Sequence, residues 1–162
     1  MIVIGVGGNV GTDEDLRARF RSVRSSLEEV GEVRSAPLYR TAPIGPAQPP
    51  FLNTALGLLV DGDPHRLLAR LQELELDHGR RRRGEQRFGP RTLDLDILVW
   101  GDRVIATQDL VVPHPRLHER RFALEPLVGL VGDDAEIPGQ GRAGALLAQV
   151  RTQQVELVIE AW

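Results

Sequence analysis

The sequence predicts an α+β fold over residues 1–162 as one domain, an antiparallel sheet with helices packed on one side. Three observations predict it. Strand-length apolar runs and helix-period apolar stripes follow one another in the order strand, helix, strand, strand, helix, strand. The composition, 41% hydrophobic and 27% charged, is that of a globular chain able to bury a core. No repeat or long linker divides the chain, and no run reaches the roughly 18 apolar residues of a membrane helix.

Residues 2–7 are apolar and read as a buried strand, and residues 7–11 as a turn. Thr12 offers a helix cap, followed by an acidic first turn. Leu16, Phe20, Val23, Leu27 and Val30 form one helical stripe, which Gly31 ends. Residues 33–41 read as a strand. Residues 42–50 hold four prolines and one glycine, hence a stiff, irregular loop. A strand follows over 51–60. Asp63-Pro64 caps a second helix, carried by Leu67, Leu68, Leu71 and Leu74 toward Gly79. Residues 80–90 form a basic loop, and 93–100 a strand. The order is that of a ferredoxin-like α/β sandwich. Its C-terminal additions are a Pro-rich turn at 113–115, short helices from 122 and over 143–150, and a last strand over 155–159.

Composition excludes several chemistries. There is no cysteine, so disulfides, thiolate metal sites and a cysteine nucleophile are ruled out. All 20 basic residues are arginine, which excludes a Walker-type lysine loop and Schiff-base catalysis. Any polyphosphate must be held by guanidinium groups, metal ions and backbone amides, and arginine suits this because its planar fork pairs two oxygens. The net charge of −3 argues against a general nucleic-acid binder. The apolar N-terminus without a basic leader reads as a strand, and a cytoplasmic location is expected.

Asp94-Leu95-Asp96 is the sharpest local feature. In a strand both carboxylates point to one face, about 7 Å apart at the backbone, while Leu93, Leu95 and Ile97 point to the other. Side by side they repel each other unless a cation joins them, and magnesium favours such oxygens together with water and phosphates. The pattern alone equally allows two solvated acids. Just upstream, Arg80 to Arg83, Arg87 and Arg91 supply positive charge, which alone fits a solvated loop and beside paired acids fits a metal–triphosphate complex.

The run Arg87-Phe88-Gly89-Pro90-Arg91-Thr92-Leu93-Asp94-Leu95-Asp96-Ile97-Leu98 resembles the signature of the 6-hydroxymethyl-7,8-dihydropterin pyrophosphokinase family. Tyr39 to Gly45 with Phe51-Leu52-Asn53 resembles its pterin-binding strand and loop, and Gly79 to Arg82 its basic loop. Val112-Pro113-His114 and Arg120-Arg121-Phe122 resemble later substrate segments. The resemblance runs from Gly7 to about Pro126. It implies transfer of diphosphate from ATP to the pterin hydroxymethyl group in folate synthesis, with Asp94 and Asp96 as ligands of two magnesium ions. Arg80, Arg82 and Arg91 would act catalytically beside them. Thr41, Pro43, Ile44, Phe51, Asn53 and Phe122 would form the pterin site, the two phenylalanines stacking on the ring and Asn53 bonding its edge. Gln72, Glu75, Arg82, Arg87, Arg91, Ile97, His114 and Arg120 would form the ATP site.

The chain departs from the family pattern at Gly8, where serine is usual, at Phe51, where tyrosine is common, and at Phe88, where tryptophan is common. Its basic loop is one residue longer. The implied partners are ATP and the pterin, acting on a monomer, with no nucleic acid or membrane. The loops over 42–50 and 80–90 are expected to close over both substrates. Two other readings compete. A single-strand RNA binder would need aromatic residues on its central strands, and only 4% of the chain is aromatic. A different magnesium-dependent transferase would leave Phe51-Leu52-Asn53 unexplained.

Overall fold

The computed structural model describes residues 1–43, 45–80 and 89–162. Ile44 and residues 81–88, among them Arg82, Arg87 and Phe88, lie outside the described residues. The chain opens with β1 (Ile2–Gly8) and α1 (Asp13–Glu28). Thr12 caps α1 and exchanges bonds with Asp15 in a capping box. The helix ends two residues before the end of the apolar stripe, and Val30 is exposed. The amides of Val30 and Gly31 both return to Leu27 O, at 3.0 and 3.2 Å. Gly31 is needed there for close approach, since a Cβ would stand 2.5 Å from Leu59 O.

The predicted strand over 33–41 is two strands, β2 (Glu32–Ser35) and β3 (Leu38–Thr41), broken at Ala36-Pro37. Proline has no amide hydrogen for the ladder. The Thr54 hydroxyl donates to the carbonyls of Ala36 and Pro37, at 3.0 and 2.9 Å, and so satisfies the break. Both strands pair along the same edge of β4 (Phe51–Leu59). α2 (Pro64–Asp77) follows, with Asp63 accepting from the amides of His65 and Arg66. β5 (Asp94–Trp100) then returns beside β1.

Two small ribbons come next, β6 (Ile105–Ala106) with β7 (Val111–Val112), then β8 (Glu136–Ile137) with β9 (Gly141–Arg142). α3 (Arg121–Val131) lies between the ribbons, and α4 (Ala143–Gln149) and β10 (Val155–Ile159) close the described chain. The main sheet runs β10-β3-β4-β1-β5, with every pairing antiparallel. This is the expected ferredoxin-like arrangement, with β10 added to its edge.

Alternation divides the sheet into two faces. Ile2, Ile4, Val6, Leu52, Leu56, Leu95 and Ile97 pack against α1 and α2. Val3, Ala55, Leu98 and Val99 pack against α3 and α4. The first two helices thus share one side, and the C-terminal additions cover part of the other. A register shift between Val3 and Ile4 in the β1–β5 pair is what lets consecutive Leu98 and Val99 join the same cluster. The uncovered half of that second face is where the site lies.

Trp162 fastens the edge beside β10. Its indole donates to Ala36 O at 2.9 Å, its ring meets Phe20 edge-on at 6.0 Å, and the Arg24 guanidinium lies 5.9 Å from its centre. Replacing Trp162 with alanine is expected to cost about 2–3 kcal/mol, since a large aromatic contact and a hydrogen bond go together. A urea melt checks this. A midpoint equal to that of the parent protein would show that the edge holds without it.

Candidate active site

A cleft of about 420 Å³ opens on the uncovered half of the sheet. Its floor is β1, where Gly7 pairs with Asn53 of β4 on one side and with Asp94 of β5 on the other. Gly5 sits likewise between Ala55 and Asp96. The Leu98 side chain covers Gly5, 3.3 Å from where a Cβ would stand, and Gly7 lines the cleft. A Cβ on Gly7 would stand 2.6 Å from Asn53 Oδ1, so no other residue fits without moving that amide.

Asn53 and Thr41 are both buried, and Asn53 Nδ2 donates to the Thr41 hydroxyl at 2.7 Å. That bond orients the amide and turns its carbonyl oxygen toward Gly7. Thr41 and Phe51 line the same side of the cleft, and Phe122, from the first turn of α3, lines the other. Pro43 stands in the half-buried start of the next loop, beside the cleft residue Ala42.

Asp94 and Asp96 both line the cleft, as strand alternation predicts. Their repulsion is relieved within the protein by Arg80. This arginine is only 7% exposed. It donates to Asp94 Oδ1 and, at 2.6 Å, to Glu75 Oε1. Glu75 also accepts the Leu95 amide at 2.8 Å, which ties α2 to β5. Glu75 is thus buried behind Arg80, and Gln72 lies exposed on α2. Ile97 belongs to the opposite core face. These three expected ATP-site residues do not line the cleft.

Arg91, His114 and Arg120 do line it. Burial, reinforced by Arg120 and Arg116, pushes the His114 imidazole down to about 4, so it is neutral near pH 7. Its Nδ1 accepts the Arg116 amide at 3.1 Å. The ring proton therefore sits on Nε2, a neutral donor. Burial also lowers the Arg120 guanidinium from its usual range, opposed by Asp96 and Asp94. That guanidinium lies 5.7 Å from the centre of the Phe122 ring.

Four residues escape a reading of the sequence. Arg116 lines the cleft and pairs with Glu119 at 2.9 Å, a contact signalled only by i, i+3 spacing. Gly5 and Gly7 could have been found from their alternation within a strand. Asn9, only 3% exposed, holds three segments together. Its Oδ1 accepts the Arg91 amide at 2.8 Å, while its Nδ2 donates to Gln48 Oε1 at 3.0 Å and Pro49 O at 2.9 Å. Next to it, the chain packs tightly where serine was the expected residue. A Cβ on Gly8 would stand 2.9 Å from both Thr92 O and Leu16.

Arg82 and Arg87, assigned to phosphate, and Ile44, assigned to the pterin, lie outside the described residues. So do residues 81–88 of the second of the two loops expected to close over both substrates. Among the described residues no group of three acids and histidines forms a metal cage. A cation between Asp94 and Asp96 would take two carboxylates from the chain and would need the rest of its shell from water and phosphate, a donor set that fits magnesium.

The His114 environment has a pH consequence. Unfolded, this histidine takes a proton near pH 6.5, whereas folded it stays neutral down to about 4. The unfolded state binds more protons in that window, so stability falls as pH drops from 6.5 toward 4. His78, also lowered by burial, adds to the same trend. Melting scans between pH 7 and pH 4.5 should show a smaller loss in His114→Gln than in the parent. Parallel curves for the two proteins would refute the neutral, buried imidazole.

Residues 3–132 match the family model described as 7,8-dihydro-6-hydroxymethylpterin-pyrophosphokinase. A 2-amino-4-hydroxy-6-hydroxymethyldihydropteridine pyrophosphokinase of Pseudomonas aeruginosa is 35% identical over 96% of this chain and 94% of its own length. One of Haemophilus influenzae is 36% identical over 80% of this chain and 81% of its own length. A mitochondrial folate synthesis bifunctional protein of Arabidopsis thaliana is 41% identical over 81% of this chain, which spans only 23% of that longer protein. The matched span contains the glycine floor, both aspartates, His114, Arg120 and Phe122, and on these findings the chain belongs to the 7,8-dihydro-6-hydroxymethylpterin-pyrophosphokinase family.

Proposed function

We propose that this chain transfers the diphosphate group of ATP to the hydroxymethyl oxygen of 6-hydroxymethyl-7,8-dihydropterin, releasing AMP, as a step of folate synthesis. The observation that carries the reading is the pairing across Gly7, with Asn53 on one side and Asp94 on the other. The two positions are about 10 Å apart, twice the spacing of neighbouring strands. A two-ring heterocycle bonded at its far edge by Asn53 would extend its one-carbon arm toward the aspartates. Phe51 and Phe122 line the cleft as stacking faces for the ring.

The hydroxymethyl oxygen attacks the β-phosphorus, and the bond from that phosphorus to the oxygen shared with the α-phosphate breaks. The hydroxyl proton passes to solvent, and AMP leaves with the bond electrons. Asp94 and Asp96 would hold magnesium, two ions in this reading, which neutralises phosphate oxygens when bound. Arg91 and Arg120 add guanidinium forks on the cleft wall, and Arg82 and Arg87 belong to the same proposal. His114 cannot serve as base through Nδ1, which already accepts an amide, so it donates from Nε2 to a phosphate oxygen. Arg80 holds Asp94 in place with Glu75 behind it. Catalysis of this kind is positioning and charge neutralisation. We assign Pro43 to the border of the pterin site, Ile44 to the pterin loop, and Gln72, exposed on α2, to the outer side of the ATP site. The reading also takes the protein as a cytoplasmic monomer. No helix among the described residues is long and apolar enough to cross a membrane.

A coupled assay of AMP release tests the reaction, and AMP must appear only when ATP, magnesium and the reduced pterin are all present. Asp94→Ala and Asp96→Ala should each lower that rate at least about 100-fold. A magnesium-dependent rate near that of the parent in either variant contradicts the metal assignment. Asp94→Ala should also lose stability, because it takes a partner from buried Arg80.

Asn53→Ala should weaken pterin binding by about 10- to 100-fold and leave ATP binding unchanged, because a buried amide partner is lost at one ligand only. Calorimetric titration with each ligand decides. Equal losses for both would place Asn53 outside the pterin site.

A further inference from the structure

Arg120 stands at the N-cap of α3 in extended conformation, and its own side chain makes no cap hydrogen bond. The cap comes from the segment before β10. Gln153 Oε1 accepts the Arg121 amide at 2.9 Å, and Gln153 Nε2 donates to Glu119 O at 2.7 Å. These two groups belong to the peptides on either side of Arg120, so one side-chain amide brackets it. The bracket is itself anchored. Arg121 Nη1 donates to the carbonyls of Arg151 and Gln153, at 2.9 and 2.8 Å, while its Nε donates to Glu125 at 2.8 Å.

Arg120 depends on such support. Among the described residues its guanidinium has no hydrogen bond to hold it; it lies over the Phe122 ring and is drawn by the charges of Asp96 and Asp94. The backbone that carries it therefore sets the point from which it reaches the cleft. We infer that Gln153 is a positioning residue for the transfer reaction, acting through Arg120 from a segment that lies beyond the 3–132 span of the family match. The amide fixes both peptides flanking Arg120 and so holds the N-cap of α3 beside the cleft. The inference rests on the reading of Arg120 as a phosphate contact. Small displacements of such a contact cost rate out of proportion to their size.

The test is a double-mutant cycle on the full chain, read as AMP release and as melting midpoint. Gln153→Met keeps the length of the side chain and removes both bonds. It should lower kcat about tenfold while its midpoint stays within about 4 °C of the parent. In an Arg120→Ala background the same change should cost no further rate, because the group that it aims is gone. Should Gln153→Met not fold, Gln153→Glu takes its place, since it keeps the acceptor for Arg121 and loses the donor to Glu119. A full parental rate in the Gln153 variant, when Arg120→Ala is impaired, overturns the inference. So does an equal loss in both backgrounds, which would mark a purely structural role. An Arg120→Ala variant with the parental rate overturns the reading of Arg120 itself, and this inference with it.

Discussion

Arg80 is buried, and a guanidinium so placed must be paired. Its partners are Glu75 from α2 and Asp94 from β5. This cluster constrains much of the site. It joins the helix layer on one face to a carboxylate on the other, passing beside the end of β5. It also removes the difficulty of placing Asp94 and Asp96 on one strand face, because one of the two acids is compensated without any ligand. A buried ion pair adds little net stability over an apolar substitute, but breaking one leaves an uncompensated charge and costs about 3–5 kcal/mol. The three residues are therefore interdependent, and a change at any one disturbs both the fold and the cleft.

The second constraint is steric. A sheet face normally carries a side chain at every second residue, and a cleft on such a face needs a place where it does not. Gly7 supplies it on β1, between Asn53 and Asp94. Asn9 then secures the rim, since one buried amide bonds the loop before β5 and the loop before β4. The glycine gives room, and the asparagine fixes what surrounds it.

Much of this was legible in the sequence, and the failures have physical causes. Strand alternation placed Asp94 and Asp96 on one face because that rule depends only on the backbone. The ferredoxin-like order was legible from periodicity, and so were the caps at Thr12 and Asp63. Val30 was misplaced because a stripe shows which face is apolar and not where the last hydrogen bond falls. The strand over 33–41 hid its break because the remedy for Pro37 is a hydroxyl on another strand, Thr54. The bonds of Glu75 to Arg80 and to the Leu95 amide are not announced by its place on the helix. Long-range pairings of this kind leave no local pattern. The same holds for Asn9, which bonds partners 39, 40 and 82 residues away.

α3 unites the two parts of the second sheet face. Its Leu124 and Leu127 are fully buried in the cluster with Val3, Ala55 and Leu98, while its first turn and N-cap present Phe122 and Arg120 to the cleft. A helix held along its length by apolar contacts is fixed in distance from the sheet, but apolar contact alone does not fix its first turn. Direction there comes from hydrogen bonds at the N-terminus, where the amides have no partner within the helix. In this chain one of them, the Arg121 amide, is met from outside, by the Gln153 side chain that follows α4. The C-terminal additions thus serve the site twice, through α4 packed against α3 and through the segment bonded to its start. That division explains how a wall of the cleft can be built from residues far from the paired aspartates in sequence.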